Sequence, residues 1–340
     1  MNKTSDNGYF ITSPDHKLVS IEKAHFCTWK LQDGLEFLEV GMLVQLNESF
    51  LNGLRQKQHD TCLVFNVFVP WFDKDSSLGC LFQVLRNQEN AKFVFNEQVH
   101  HQDSFFNGGS TVRGVLFSFG NEKAQPFSLL PVDLAPASKI PHTISAKVVF
   151  PSKTDDLQKV GNRIYSRFFV KPKSLSIPWK HGGIAKTTFS YDIKVNEPRN
   201  APEDFPLDQI VDIRACYCLH IVPAAFECAL QDRVAFKSIR TLESAESVAY
   251  TKDIPEIRTK IQPGECLVVF NKLEAKDKQK SPFSFFTVFS MERIGPSQLA
   301  LAIGANIVCS LLSGWWRFAA FAVFSVVVIV AWIRSDRGHR

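Results

Sequence analysis

Along most of this chain apolar residues recur at every second position, and that period limits it to half-buried strands. TCLVFNVFVPWF (61–72), GCLFQVLRN (79–87), AKFVFNEQ (91–98), TVRGVLFSFG (111–120) and HTISAKVVF (142–150) are short apolar or alternating runs. Turn-forming clusters at 73–77, 87–90 and 107–109 separate them. A polar joint at 151–162 follows. The same texture then resumes in RIYSRFFVKP, KTTFSYDIKV, IRACYCLHIV, ECLVVFNKL and FSFFTVFSMER, the last two linked by EAKDKQKSP, which reads as a charged hairpin loop. The 30 Phe against 3 Met agree with this, because aromatic rings pack well on a pleated surface. One segment breaks the pattern. Leu43, Leu46, Phe50 and Leu54 recur at three- and four-residue spacing, which predicts an amphipathic helix over about 35–57.

The second constraint is the run Ser297–Ile333, uncharged except for Arg317. As one straight helix it would be about 55 Å long, against a bilayer core of about 30 Å. Two short spans, 297–313 and 317–333, fit better, with Gly314 breaking the run and Trp315 and Trp316 at the interface. That arrangement returns Arg334, Arg337 and Arg340 to the starting side, as the positive-inside tendency favours. The expected fold class is therefore mainly β: a sandwich-like part with one N-terminal amphipathic helix, then a C-terminal transmembrane helical hairpin. The expected divisions are 1–150, 151–296 (or one continuous sandwich over both) and 297–340.

The first span has a small and polar stripe. Gln298, Ala302, Asn306, Ser310 and Gly314 recur every four residues, with Ser313 on the adjacent row. Such a stripe packs helices closely, or lines a polar path when several chains assemble with it inward. Arg317 would then sit at the outer rim. The reading that follows is a homo-oligomeric, channel- or pore-like membrane protein whose β-rich part gates the path on binding a ligand. By layout alone the chain is similar to membrane effectors of bacterial defence systems, which implies an inner-membrane location with the bulk cytoplasmic. The alternative is a membrane-anchored interaction or scaffold module without transport.

The net charge of +5 is concentrated at the C-terminus, and residues 1–296 are nearly balanced, so general coating of polyanions is excluded. The N-terminus lacks the apolar core of a signal peptide, so the eight Cys are expected to be reduced. A local basic stretch does stand out. Arg163, Arg167, Lys171, Lys173, Lys180 and Lys186 occur without an acidic residue between them, interleaved with Tyr165 and Phe169. Period two places Arg163, Tyr165, Arg167 and Phe169 on one strand face. Cations and aromatic rings on one face suit a nucleotide or a single-stranded oligonucleotide. They equally suit a solvated strand or anionic headgroups.

Cys216, Cys218 and His220 share a strand face, with Cys228 further on, but single-residue spacing is not that of a structural zinc site. His100 and His101 with Asp103 make no better case, since adjacent His point to opposite sides of a strand. FFNGGSTVRG (105–114) lacks the Lys-Ser/Thr ending of a phosphate loop and reads as a hairpin turn. No catalytic or cofactor fingerprint is present in the sequence, so neither an enzyme nor a cofactor is expected.

Overall fold

The computed structural model describes residues 8–31, 36–56, 62–95, 98–107, 111–120, 125–138, 140–151, 154–173, 181–182, 186–203, 205–242, 250–252, 254, 265–275 and 282–292. The N-terminal half contains β1 (Gly8–Thr12), β2 (Val19–Lys30), β3 (Glu36–Leu46), α1 (Glu48–Arg55), β4 (Val64–Phe68) and β5 (Ser77–Cys80). Next come α2 (Phe82–Leu85), α3 (Gln88–Phe95), β6 (Val99–Asn107), β7 (Thr111–Phe119), β8 (Phe127–Leu129), β9 (Val132–Pro136) and β10 (Thr143–Val148). The remainder runs α4 (Thr154–Lys159), β11 (Arg163–Lys171), β12 (His181–Gly182), β13 (Lys186–Val195), β14 (Ile213–Pro223) and β15 (Glu227–Gln231). It ends with β16 (Phe236–Leu242), β17 (Cys266–Glu274) and β18 (Phe283–Glu292).

These strands form two sheets. The eight-stranded sheet has the order β15-β18-β13-β1-β4-β10-β9, with β12 beside β13. The ten-stranded sheet runs β16-β17-β14-β2-β3-β11-β8-β7-β6, with β5 sharing the β11 edge with β8. Their facing sides close over one apolar core. Ile11, Phe65, Val67, Ile144 and Val195 come from the first sheet, and Ile21, Phe26, Val40, Met42, Ile164, Phe168, Cys216 and Cys218 from the second. Each fully buried large side chain contributes about 1.5–3 kcal/mol.

Strands from either side of residue 151 are interleaved in both sheets. The long parallel pairing of β14 with β2 matches Ile213 to Ile21 and Ile221 to Trp29, and β11 lies antiparallel to β3. β17 and β18 belong to different sheets, so these two strands do not pair as the hairpin expected across EAKDKQKSP.

The ten-stranded sheet is covered on its second face as well. Phe82, Val84 and Leu85 of α2, with Val115, Phe117, Phe119 and Phe127, close over Cys27, Trp29, Phe37, Tyr165 and Phe169. That double cover explains why the expected helix over 35–57 is corrected. Residues 36–46 are β3, buried on both faces apart from Gln45, and only Glu48–Arg55 is helical. A strand with two apolar faces has no polar alternation left, so its spacing imitates a helix. α1 starts where Asn47 Oδ1 accepts the Phe50 N–H at 2.8 Å.

The C-terminal part of the expected fold class is also corrected. Among the described residues no helix is long and apolar enough to cross a membrane. Their longest helices have eight residues, whereas a span needs about 20. The transmembrane hairpin is therefore not supported. Its expected spans, with Gln298, Ala302, Asn306, Ser310, Ser313, Gly314 and Arg317, lie outside the described residues.

Candidate functional site

The expected face of β11 forms as period two requires, but it points inward. Arg163, Tyr165, Arg167 and Phe169 are all buried. Arg163 donates to both carboxylate oxygens of Glu22 at 2.7–3.2 Å and to the Gln125 carbonyl. Arg167 lies 4% exposed against Glu39, itself fully buried, donating through Nε at 2.8 Å and also through Nη2. The Tyr250 hydroxyl adds a third donor to the same Glu39 oxygen at 3.2 Å. Tyr165 Oη accepts from Arg167 Nη1 at 3.3 Å and meets His25 Nδ1 at 3.1 Å. Gly41 makes room for that contact, because a Cβ there would collide with the Tyr165 hydroxyl. Phe95 closes the layer, 4.7 Å from the Tyr165 ring.

The charges in this layer are thus consumed internally. Burial opposes charge on Arg167, and the adjacent Glu39 carboxylate outweighs it and holds the guanidinium protonated. Burial, followed by the Arg167 charge, holds the His25 imidazole neutral, well below its ordinary range. Beyond the layer Lys171 is half-buried at the end of β11, and Lys173 pairs with Asp75 at 3.2 Å. Lys186 begins β13 with its side chain outside the described residues, as is all of Lys180. The described members of the set are not gathered into one surface.

The cysteine motif is interior too. Cys216 and Cys218 are buried in the inter-sheet core, and burial pushes both thiols far up. His220 takes Thr28 Oγ1 at 2.7 Å and stacks on Tyr191 at 4.6 Å, and burial lowers it to about 3. Cys228 lies on β15 of the other sheet. Among the described residues no group of three metal-ligating side chains converges.

An open concave site exists elsewhere, between α2 and the β6–β7 hairpin. It is a cavity of 580 Å³ lined by Gln83, Arg86, Asn87, His101, Ser104, Val112 and Val115. That volume lies within the roughly 300–1,000 Å³ usual for small-molecule sites. The single turn of α2 buries Phe82 and Leu85 and leaves Gln83 and Arg86, each one residue on, facing out. Asn87 Oδ1 accepts the Glu89 N–H at 3.0 Å, which starts α3 and leaves the amide NH₂ available to the cavity.

A β-bulge builds the other wall. β6 pairs His101 with Phe117 and then Asp103 with Leu116, so Gln102 is the extra residue. The bulge shifts the alternation by one, and His101 and Ser104 come to one face, with His101 Nε2 2.9 Å from Ser104 Oγ. Without it His101 and Asp103 would share that face. Asp103 instead accepts from Lys159 at 3.1 Å and from the Ser104 amide at 2.8 Å, and Lys159 holds its carboxyl below the usual range. The lining therefore consists of a guanidinium, two amides, an imidazole, a hydroxyl and two valines. Among the described residues no carboxylate lines it.

Sequence reasoning noted His101 in this neighbourhood but missed the site. The signal that could have found it, a bulge, is not written in residue types.

No protein-family model matches the chain, and no curated protein sequence does. Among solved structures, the chain is similar over 90% of its length to a putative protease from Parabacteroides distasonis, with 10% identity, a TM-score of 0.28 and 46% of that protein covered. It is similar over 85% of its length to the Fcho1 mu homology domain of Danio rerio with a bound Eps15 peptide, with 7% identity, a TM-score of 0.18 and 81% of that chain covered. The chain spans under half the length of the first. Likenesses this slight carry no argument about fold or activity.

Proposed function

We propose that this chain is a binding module for a small anionic ligand carrying a phosphate or carboxylate, held in the cavity between α2 and β6–β7. The observation that supports the reading is the lining itself, donor-rich, cationic at Arg86 and free of carboxylates among the described residues. Guanidinium recognises an oxyanion with paired hydrogen bonds. Gln83, Asn87, His101 and Ser104 supply further donors, and Val112 and Val115 take an apolar portion of the ligand. A nucleoside monophosphate has both parts.

The reading assigns binding, not catalysis. His101 and Ser104 are in contact, but the neighbouring carboxylate, Asp103, is held by Lys159 and the Ser104 amide. Among the described residues, the oriented third member that a serine nucleophile relies on is not built here.

Calorimetric titration of the full-length chain with inorganic phosphate and with a nucleoside monophosphate tests this. Saturable binding is expected, weakened about 10- to 100-fold in Arg86→Gln, the worth of a hydrogen bond to a charged group. Absence of saturable binding for both probes, or equal affinity in Arg86→Gln, sinks the reading.

A further inference from the structure

The β6–β7 hairpin holds two irregularities that cancel. Val99, His100 and His101 pair with Phe119, Ser118 and Phe117, and Phe106 and Asn107 pair with Val112 and Thr111, all in one register. Asp103, Ser104 and Phe105 pair with Leu116, Val115 and Gly114, one residue out of it. The shift begins at the extra residue Gln102 in β6 and ends at the extra residue Arg113 in β7. Both walls of the cavity depend on it. His101 and Ser104 are three apart in β6, and Val112 and Val115 are three apart in β7, spacings that put side chains on opposite faces of a regular strand. Each pair meets the one cavity because a bulge lies between its members.

Three anchors hold the shifted residues. Phe105 is fully buried in the inter-sheet core opposite Gly114, where a Cβ would collide with its ring. Gln102 Nε2 donates to Ser118 Oγ at 2.8 Å. Asp103 pairs with Leu116, which packs on the inter-sheet core, whereas Val115 and Phe117 belong to the other face. There one Asp103 oxygen accepts the Ser104 N–H at 2.8 Å and the other accepts from Lys159 Nζ at 3.1 Å. Lys159 ends α4 and does not line the cavity. If the outer register ran through, Asp103 would stand opposite Val115 and Ser104 opposite Gly114. A carboxylate would then replace the hydroxyl on the cavity face.

We infer that Lys159 is a positioning residue for the anion cavity: by holding Asp103 on the far face of β6, it keeps a carboxylate out of the site and Ser104 in it. The inference rests on the anion-binding reading of that cavity. Its physical content is electrostatic. Paired with Lys159, the Asp103 charge is balanced and turned away; unpaired, it repels an oxyanion in the cavity and nothing ties it to the far face. Lys159 therefore controls a ligand that it does not touch.

Calorimetric titration of the full-length chain with inorganic phosphate tests this in four proteins. Lys159→Gln is expected to bind about 3- to 10-fold more weakly than the native chain, and Lys159→Arg close to it. Lys159→Gln combined with Asp103→Asn is expected to recover most of the loss, because the amide carries no charge to repel the ligand. Thermal unfolding of Lys159→Gln stays near that of the native chain, since an exposed ion pair adds little stability. Native-like binding by Lys159→Gln overturns the inference alone. So does a loss that Asp103→Asn fails to recover, which would mean that Lys159 acts other than through Asp103. Absence of phosphate binding by the native chain overturns the anion-binding reading and this inference with it.

Discussion

Arg167 and Arg86 border the same apolar layer over the ten-stranded sheet and have opposite uses. Arg167 lies inside it, against Glu39, Tyr165 and His25. Arg86 stands on the outward side of α2, on a cavity with no carboxylate among its described lining residues. A guanidinium shut away from water needs a carboxylate beside it, and the pair then belongs to the fold. One left at a cavity mouth among other donors is available to a ligand. Cation content alone does not locate a binding site; the nearest carboxylate and access to water decide.

The contrast can be broken most strongly from the inside. Arg167→Ala should lower unfolding stability by about 3–5 kcal/mol, because Glu39 is left buried and charged without its partner. Chemical denaturation reads this, and Glu39→Leu with Arg167→Met should recover most of the loss. A small change in the single variant would mean that the pair is not part of the fold's stability.

Acid comes next. His25 and His220 are held neutral by burial, His220 down to about 3. Their contribution is fully present above the ordinary imidazole value of about 6.5 and is lost as pH falls toward the folded-state values, because the unfolded chain takes up protons the fold refuses. The expected loss is about 1.4 kcal/mol per pH unit for each histidine. Denaturation at about pH 7.5 and about pH 5.5 checks it, and a flat profile would contradict the assignment.

Gly41→Ala is a finer probe of the same layer. A methyl there meets the Tyr165 hydroxyl, and overpacking of this kind costs about 1–3 kcal/mol. Combination with Tyr165→Phe should relieve part of that loss. At the cavity the expectation reverses: Arg86→Gln should change stability by less than about 0.5 kcal/mol while weakening ligand binding. A large stability loss from Arg86→Gln would put it in the same class as Arg167.

Much of this architecture is legible without coordinates. The alternation in RIYSRFFVK, KTTFSYDIKV, IRACYCLHIV, CLVVFNKLE and FSFFTVFSME corresponds to β11, β13, β14, β17 and β18. Arg163, Tyr165, Arg167 and Phe169 do share a face. The reading fails where local text conflicts with context. AKFVFNEQ alternates like a strand, yet 88–95 is α3, started by the Asn87 side chain and tied to α2 where Asn90 Nδ2 donates to the Val84 carbonyl at 3.0 Å.

By itself the sequence determined that the chain forms strands and which side chains share a strand face, because alternation follows from the backbone's two-residue repeat. Tertiary structure alone decided what each face meets. The β11 face is interior because residues 82–95 and the β7–β8 region close over it, and the charges of its arginines are balanced because Glu39 arrives on the neighbouring β3 and Glu22 on β2 beyond it. The cavity exists because one extra residue in β6 turns Ser104 to the side of His101, a shift set by strand pairing.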